Sequence, residues 1–105
     1  MHDGGIIGYS HLLFASKPSR VHSCGFGIVI HQEYQRQGYG RELIEETIKL
    51  AKELGKKKIW LHVYEFNKPA IKLYKKLGFV EEGRFRKEEF KAGRYIDVIS
   101  MARWI

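Results

Sequence analysis

Cysteine is nearly absent from this chain of 105 residues: Cys24 is the only one. A lone cysteine cannot close an intrachain disulfide, which excludes a disulfide-stapled scaffold and suits a reducing, cytoplasmic setting. No run of about 18 apolar residues exists, so no membrane span is expected. The opening "MHDGGIIGYSHLLF" lacks a basic region and a small-residue cleavage site, so no signal peptide is read there. Low-complexity tracts, linkers and internal repeats are missing too. His2, His11, His22 and His31 show no metal-ligand spacing. Neither Gly-Lys-Ser/Thr after a glycine loop nor the dinucleotide GxGxxG occurs, which argues against ATP and NAD.

Acidic residues are the minority, 12 against 19 lysines and arginines, and the formal net charge is +7. Such a balance suits polyanions, and it equally serves solubility. The lysines concentrate in "KELGKKK" and "KPAIKLYKK", which flank or form predicted helices. No nucleic-acid-binding motif accompanies them, and a nucleic-acid partner is not expected.

Ile6 to Ala15 reads as a strand, rich in β-branched and aromatic residues. Ser16 to Arg20 is a turn, and Val21 to Ile30 a second strand whose apolar end "GFGIVI" suits an interior position. After a polar loop, His31 to Gln37, a helix is predicted over Gly40–Leu54. Leu43, Ile44, Thr47, Ile48, Ala51 and Leu54 recur on one face. Glu45–Lys49 is a favourable i,i+4 pair, and Gly55 is the stop. Lys58 to Phe66 is a third strand, read as apolar on both faces. Asn67 caps a second helix running from Lys68 to Lys76, with Pro69 in its first turn and Gly78 after its end. Phe79–Phe90 and Arg94–Trp104 are two further strands joined by "KAG", Lys91 to Gly93. The order ββαβαββ predicts an α+β fold: a mixed, largely antiparallel sheet of about five strands, helices on its faces, and one right-handed parallel βαβ crossover.

The most informative stretch is "HQEYQRQGYGRELIEETIKLA". A helix start leaves amide N–H groups unpartnered and carries partial positive charge, so it stabilises an anion. Gly38 and Gly40 let an anion approach the backbone, and Arg36 and Arg41 add charge. The pattern fits a phosphate or pyrophosphate cradle; it also fits a plain glycine turn before a helix.

"QRQGYGREL" after "GIVIHQEY" resembles the GNAT superfamily of acetyl-CoA-dependent acetyltransferases, whose signature Gln/Arg-x-x-Gly-x-Gly/Ala stands here as Gln35-x-x-Gly38-x-Gly40. A second signature, "NKPAIKLYKKLGFVEEGRFR", follows in the right order with Asn67, Ala70, Tyr74 and Leu77-Gly78-Phe79. The resemblance covers nearly the whole chain and implies an N-acetyltransferase that moves acetyl from acetyl-CoA to a primary amine by direct attack. The acceptor would be a small amine, a polyamine or a protein N-terminus. No metal is implied.

By that resemblance, the backbone of Ile28, Val29 and Ile30 matches the strand that pairs with pantetheine amides. The amides of Gln35, Arg36, Gln37, Gly38, Tyr39, Gly40 and Arg41 match the pyrophosphate cradle. Asn67 matches the residue that meets the pantetheine arm; as a plain N-cap it explains itself equally well. Lys68, Lys72 and Lys75 match positions able to meet adenosine phosphates, or form a solvated helix face. Tyr74 matches the general acid that protonates the departing thiolate, although its spacing also suits core packing. His62 stands where some relatives carry a glutamate base, and histidine titrates near neutrality. It reads alternatively as one ring in an aromatic layer. Glu33 and Glu65 are weaker base candidates. Cys24 reads as a small buried residue before an acyl carrier.

The chain departs from the family pattern at its start. Relatives carry a further strand and one or two helices before a segment like "DGGIIGYSHLLF". The expectation is therefore a single GNAT-like domain over 1–105 lacking those elements, with a homodimer formed through an exposed sheet edge. A non-catalytic acyl-CoA-binding or subunit protein of the same fold is the alternative.

Overall fold

The computed structural model describes residues 8–30 and 38–105. Five strands and two helices follow in the order ββαβαββ, with a short 3-10 turn, Pro18–Arg20, between the first two strands. The strands form one mixed sheet in the order β1-β2-β3-β5-β4. Contacts divide the chain into two compact units, Met1–Ile59 with Ile105, and Trp60–Trp104.

In the first unit, β1 (Gly8–Phe14) and β2 (Ser23–Ile30) form an antiparallel pair whose register runs unbroken from Gly8↔Ile30 to Phe14↔Cys24. Val21 and His22 were expected inside β2 but precede it. Their carbonyls are taken by the segment after α1: Lys56 Nζ donates to Val21 O (2.8 Å) and the Lys57 amide to His22 O (2.7 Å). Gly27 faces His11, and a Cβ there would overlap the imidazole.

Helix α1 (Tyr39–Glu53) buries Ile44, Thr47, Ile48 and Ala51. Leu54, expected on that face, is exposed because the helix has already ended. Thr47 is a hydroxyl in an apolar stripe, and its cost is offset by two hydrogen bonds: it donates to Leu43 O (2.7 Å) and meets Ser10 Oγ (2.7 Å). Glu45 does not form the expected pair with Lys49; its carboxylate accepts from Arg41 one turn earlier (3.1 Å). The helix closes as predicted at Gly55, where the Gly55 and Lys56 amides reach back to Lys52 O and Ala51 O, both 3.0 Å.

The second unit carries most of β3 (Lys58–Tyr64), with α2 (Lys68–Lys76), β4 (Val80–Lys91) and β5 (Arg94–Trp104). The reading of β3 as apolar on both faces is corrected. Ile59, Leu61 and Val63 are buried, while Trp60, His62 and Tyr64 alternate outward and His62 is exposed. Trp and Tyr count as apolar in a sequence, yet each has a polar tip that tolerates water. β3 also ends two residues early, because a tight turn carries the Asn67 amide back to Tyr64 O (3.0 Å).

β4 and β5 form a long antiparallel hairpin. The two residues of its turn, Ala92 and Gly93, both have left-handed backbone, φ +53° and +79°. That is the mirror-image turn whose twist matches a hairpin, and it favours Asn-Gly. Register shifts interrupt β4 twice, around Glu82 and across Arg86, Lys87 and Glu88. Ala92→Asn should therefore stabilise the protein by about 1 kcal/mol, since asparagine tolerates the left-handed region better than alanine. A urea midpoint that rises with unchanged slope supports this; an unchanged or lower midpoint refutes it.

Candidate active site

The first unit supplies the strand end and helix start of the glycine motif. Ile28, Val29 and Ile30 are the last three residues of β2 and pair with Ser10, Tyr9 and Gly8 of β1. Gln35, Arg36 and Gln37 lie outside the described residues, as does Glu33. Gly38 is the N-cap of α1, with φ +84° and ψ −6°. Few residues other than glycine adopt this conformation cheaply, so the glycine is a backbone requirement before it is a ligand contact. No side chain caps the helix from Gly38, and the first intrahelical bond runs from the Glu42 amide to Gly38 O (3.2 Å). The amides of Tyr39, Gly40 and Arg41 occupy the turn that an α-helix leaves without intrahelical acceptors. The Arg41 guanidinium lies along the helix toward Glu45 rather than ahead of the helix start. Both side chains are more than half exposed, so the pair is weak and separable.

The second unit supplies Asn67, Tyr74 and His62. Asn67 caps α2, its side-chain oxygen accepting from the Ala70 amide at 3.4 Å. Tyr74, two turns on, is the buried residue of α2. Its position is set by the helix end. Gly78 is left-handed (φ +92°), the Gly78 amide donates to Lys75 O (3.1 Å) and the Phe79 amide to Tyr74 O (3.0 Å). The residue after the glycine then packs on the one that starts the last turn: the Phe79 and Tyr74 rings meet edge to face, centroids 5.9 Å apart. Leu77-Gly78-Phe79 thus orients Tyr74 instead of touching a ligand itself.

His62 points from the outward face of β3. Its ring lies 5.0 Å from Trp60 and 5.3 Å from Phe85, so the predicted aromatic neighbourhood exists with Phe85 in it. Among the described residues no hydrogen bond reaches its nitrogens. The expected partners Tyr64 and Phe66 stack on each other, 5.4 Å apart. The Tyr64 hydroxyl donates to Glu89 Oε1 (2.7 Å) and accepts from Lys91 Nζ (2.5 Å). Glu65, the weaker base candidate, is held by Arg84 at 3.2 Å. Phe85, Glu89 and Lys91 were not singled out in the sequence. Only the register of β4 brings them to β3, and no local pattern encodes that.

Comparison with known proteins places the chain. The profile of the Acetyltransferase (GNAT) family matches residues 1–79. The chain belongs to the GNAT acetyltransferase family. It is 35% identical over 102 residues to an L-amino acid N-acetyltransferase of Escherichia coli, covering 96% of this chain and 63% of that protein. To a spermidine N(1)-acetyltransferase of Vibrio cholerae it is 42% identical over 80 residues, 75% of this chain and 46% of the relative. The solved structure of a GNAT-family acetyltransferase from Streptococcus pneumoniae superposes with a TM-score of 0.93 at 32% identity, over all of this chain and 64% of that one. The chain therefore spans less than two thirds of each of these relatives.

Within this GNAT chain, burial acts on both the Tyr74 phenol and the Cys24 thiol. Desolvation raises the Tyr74 phenol above its ordinary value. Cys24 is 1% exposed and its thiol is free; burial pushes it up too, partly offset by Lys56, which agrees with a packed residue and not an acyl carrier. Among the described residues no cluster of three potential metal ligands forms, and no helix is long and apolar enough to cross a membrane.

The raised phenol has a thermodynamic sign. Above pH 10 the unfolded chain releases the Tyr74 proton while the folded chain retains it, so stability falls with rising pH. Urea midpoints measured from pH 8 to 11 should fall less steeply in Tyr74→Phe than in the parent. Parallel curves would show that the phenol does not titrate differently in the two states.

Proposed function

We propose that this chain carries the cofactor-binding and catalytic residues of an N-acetyltransferase that moves acetyl from acetyl-CoA to a primary amine. The observation that carries the reading is the Tyr74 phenol, buried near the end of an Asn67-capped helix. The amine nitrogen attacks the thioester carbonyl, the C–S bond breaks, Tyr74 Oη gives its proton to the departing sulfur, and the proton shed by the new amide nitrogen restores the phenol. His62 takes the proton that the acceptor ammonium must lose before attack. The backbone at Ile28, Val29 and Ile30 pairs with pantetheine amides. The amides from Gln35 through Gly38 to Arg41 hold the pyrophosphate, and Asn67 meets the pantetheine arm. The left-handed Gly38 at the start of α1 supports that assignment. Amino acids, polyamines and protein N-termini are the acceptor classes to try, since the named relatives act on an L-amino acid and on spermidine.

The reading extends to a single GNAT-like domain over 1–105, a cytoplasmic setting and a homodimer. The dimer is supported by β1, which ends the sheet order and carries neither lysine nor proline along its seven residues. A monomer in sedimentation equilibrium at micromolar concentration would remove the dimer. A non-catalytic acyl-CoA-binding protein is the second reading, favoured by the absence of a hydrogen bond orienting His62 among the described residues.

Two variants separate these readings. Gly38→Glu puts a carboxylate, in a backbone conformation it resists, where the pyrophosphate would lie. Calorimetry should show acetyl-CoA affinity weakened at least about tenfold; equal affinity would undo the cradle. Tyr74→Phe should lower kcat on the order of 100-fold while leaving the acetyl-CoA dissociation constant nearly unchanged. Undiminished thiol release would remove the acid role.

A further inference from the structure

We propose that Phe85, seated by an Asp97-anchored bulge in β4, is the positioning residue that fixes the His62 imidazole. The inference rests on the reading of His62 as the base, and it supplies what that reading lacks. A base needs a defined ring orientation, usually given by a hydrogen bond to its second nitrogen. His62 has none among the described residues, and two rings hold it instead: Trp60, tilted at 41°, and Phe85, edge to face at 65°. Trp60 and His62 belong to the same strand, two residues apart, so their proximity follows from the pleat. Phe85 comes from β4, which is separated from β3 in the sheet by β5. Its approach is a product of tertiary structure.

The bulge explains that approach. Phe85 pairs with Val98 and Glu89 with Ile96, so Arg86, Lys87 and Glu88 stand opposite Asp97 alone. Such insertions bend a strand and re-aim its side chains. The deformation is centred on Lys87, whose φ of +51° is uncommon for a residue with a Cβ. Asp97 holds it from β5: its Oδ1 accepts from the Lys87 amide (2.9 Å) and its Oδ2 from Arg84 (3.1 Å). Arg84 also reaches Glu65 (3.2 Å), which ties the bulge to the end of β3. The Asp97 carboxyl is held below the usual carboxylate range, chiefly by the Lys87 amide and then by Arg84. The anchor is thus ionised at neutral pH and bonded on both oxygens. Phe85 is 44% exposed, so packing of the core does not require its ring. Because neither imidazole nitrogen has a hydrogen-bond partner among the described residues while two rings flank the imidazole, the arrangement leaves the basic atom to an acceptor or a water.

The test pairs spectroscopy with kinetics on the full chain. In imidazole carbon–proton correlation spectra, the His62 ring protons should be displaced by ring currents. They should move toward free-histidine positions in Phe85→Ala and in Asp97→Ala, and stay near their original positions in Phe85→Tyr. In acetyl transfer to an amine panel, Phe85→Ala should lower kcat about tenfold with the acetyl-CoA KM unchanged, and Phe85→Tyr should restore it. Added to His62→Ala, Phe85→Ala should cause no further loss, as expected of a residue that acts through another. His62 resonances that do not move in Phe85→Ala overturn the proposal, as do multiplicative losses in the double variant. A parent chain with no acetyl transfer to any amine would sink the enzymatic reading instead, and the His62 resonances would still decide whether Phe85 holds the ring.

Discussion

The end of α2 is the constraint from which the second unit takes its shape. A helix must satisfy its last carbonyls, and here a left-handed Gly78 lets the chain fold back so that the Phe79 amide closes on Tyr74 O. The same reversal brings Phe79 against the Tyr74 ring and buries both. Arg103 of β5 seals the end, donating to Leu77 O (2.9 Å) and lying 3.3 Å from where a Gly78 Cβ would stand. One backbone conformation therefore stops the helix, satisfies its carbonyls and places a phenol in a dry environment. A side chain at position 78 would oppose all three at once. Removal from water also pushes the phenol above its ordinary value.

Charge is distributed in a way that separates structure from function. The ion pairs that shape the fold gather at the bulge and at the Tyr64 cluster: Arg84 with Glu65 and Asp97, and Lys91 with Glu89 beside the Tyr64 hydroxyl. These pairs are partly or largely exposed, so each adds little stability alone. Their value is geometric, since they tie β4 to its neighbours where the ladder is broken. The surplus cations lie elsewhere. Lys68, Lys72, Lys75 and Lys76 line one side of α2 around Ile71, and none has an ion pair among the described residues. Lys75 and Lys76 sit in the last turn, where positive charge complements the helix dipole. Four of the chain's 19 lysines and arginines thus lie on one solvated helix face.

The outward row of β3 shows how a strand can serve two solvents. Ile59, Leu61 and Val63 supply the core, while Trp60, His62 and Tyr64 carry polar tips to the surface. Their neighbours there are rings and long side chains instead of aliphatic groups: Phe85 against His62, Phe66 on Tyr64, and Lys91 over the Tyr64 ring at 4.8 Å. Contacts of this kind hold a ring by its face or edge and leave its heteroatoms accessible.

Much of this was legible in the chain itself. The order ββαβαββ, the span of α2, the span of β5 and the glycine stops at Gly55 and Gly78 are local properties, set by periodicity, caps and backbone conformation. The glycine motif and the Asn67–Phe79 segment identified the family because their residues act within one turn or one helix end. What sequence reading misjudged was decided across strands. It took β3 for a strand apolar on both faces and overlooked Phe85. Each error has the same origin. Burial, pairing and register depend on which strand or helix lies alongside, and a bulge anchored by a side chain on another strand leaves no periodic mark. The sequence alone determined the order of the elements, the glycine stops at Gly55 and Gly78, and the family the chain belongs to. Only the tertiary structure decided that His62 is gripped by Phe85, since that contact exists through the β4 register and the Asp97 anchor.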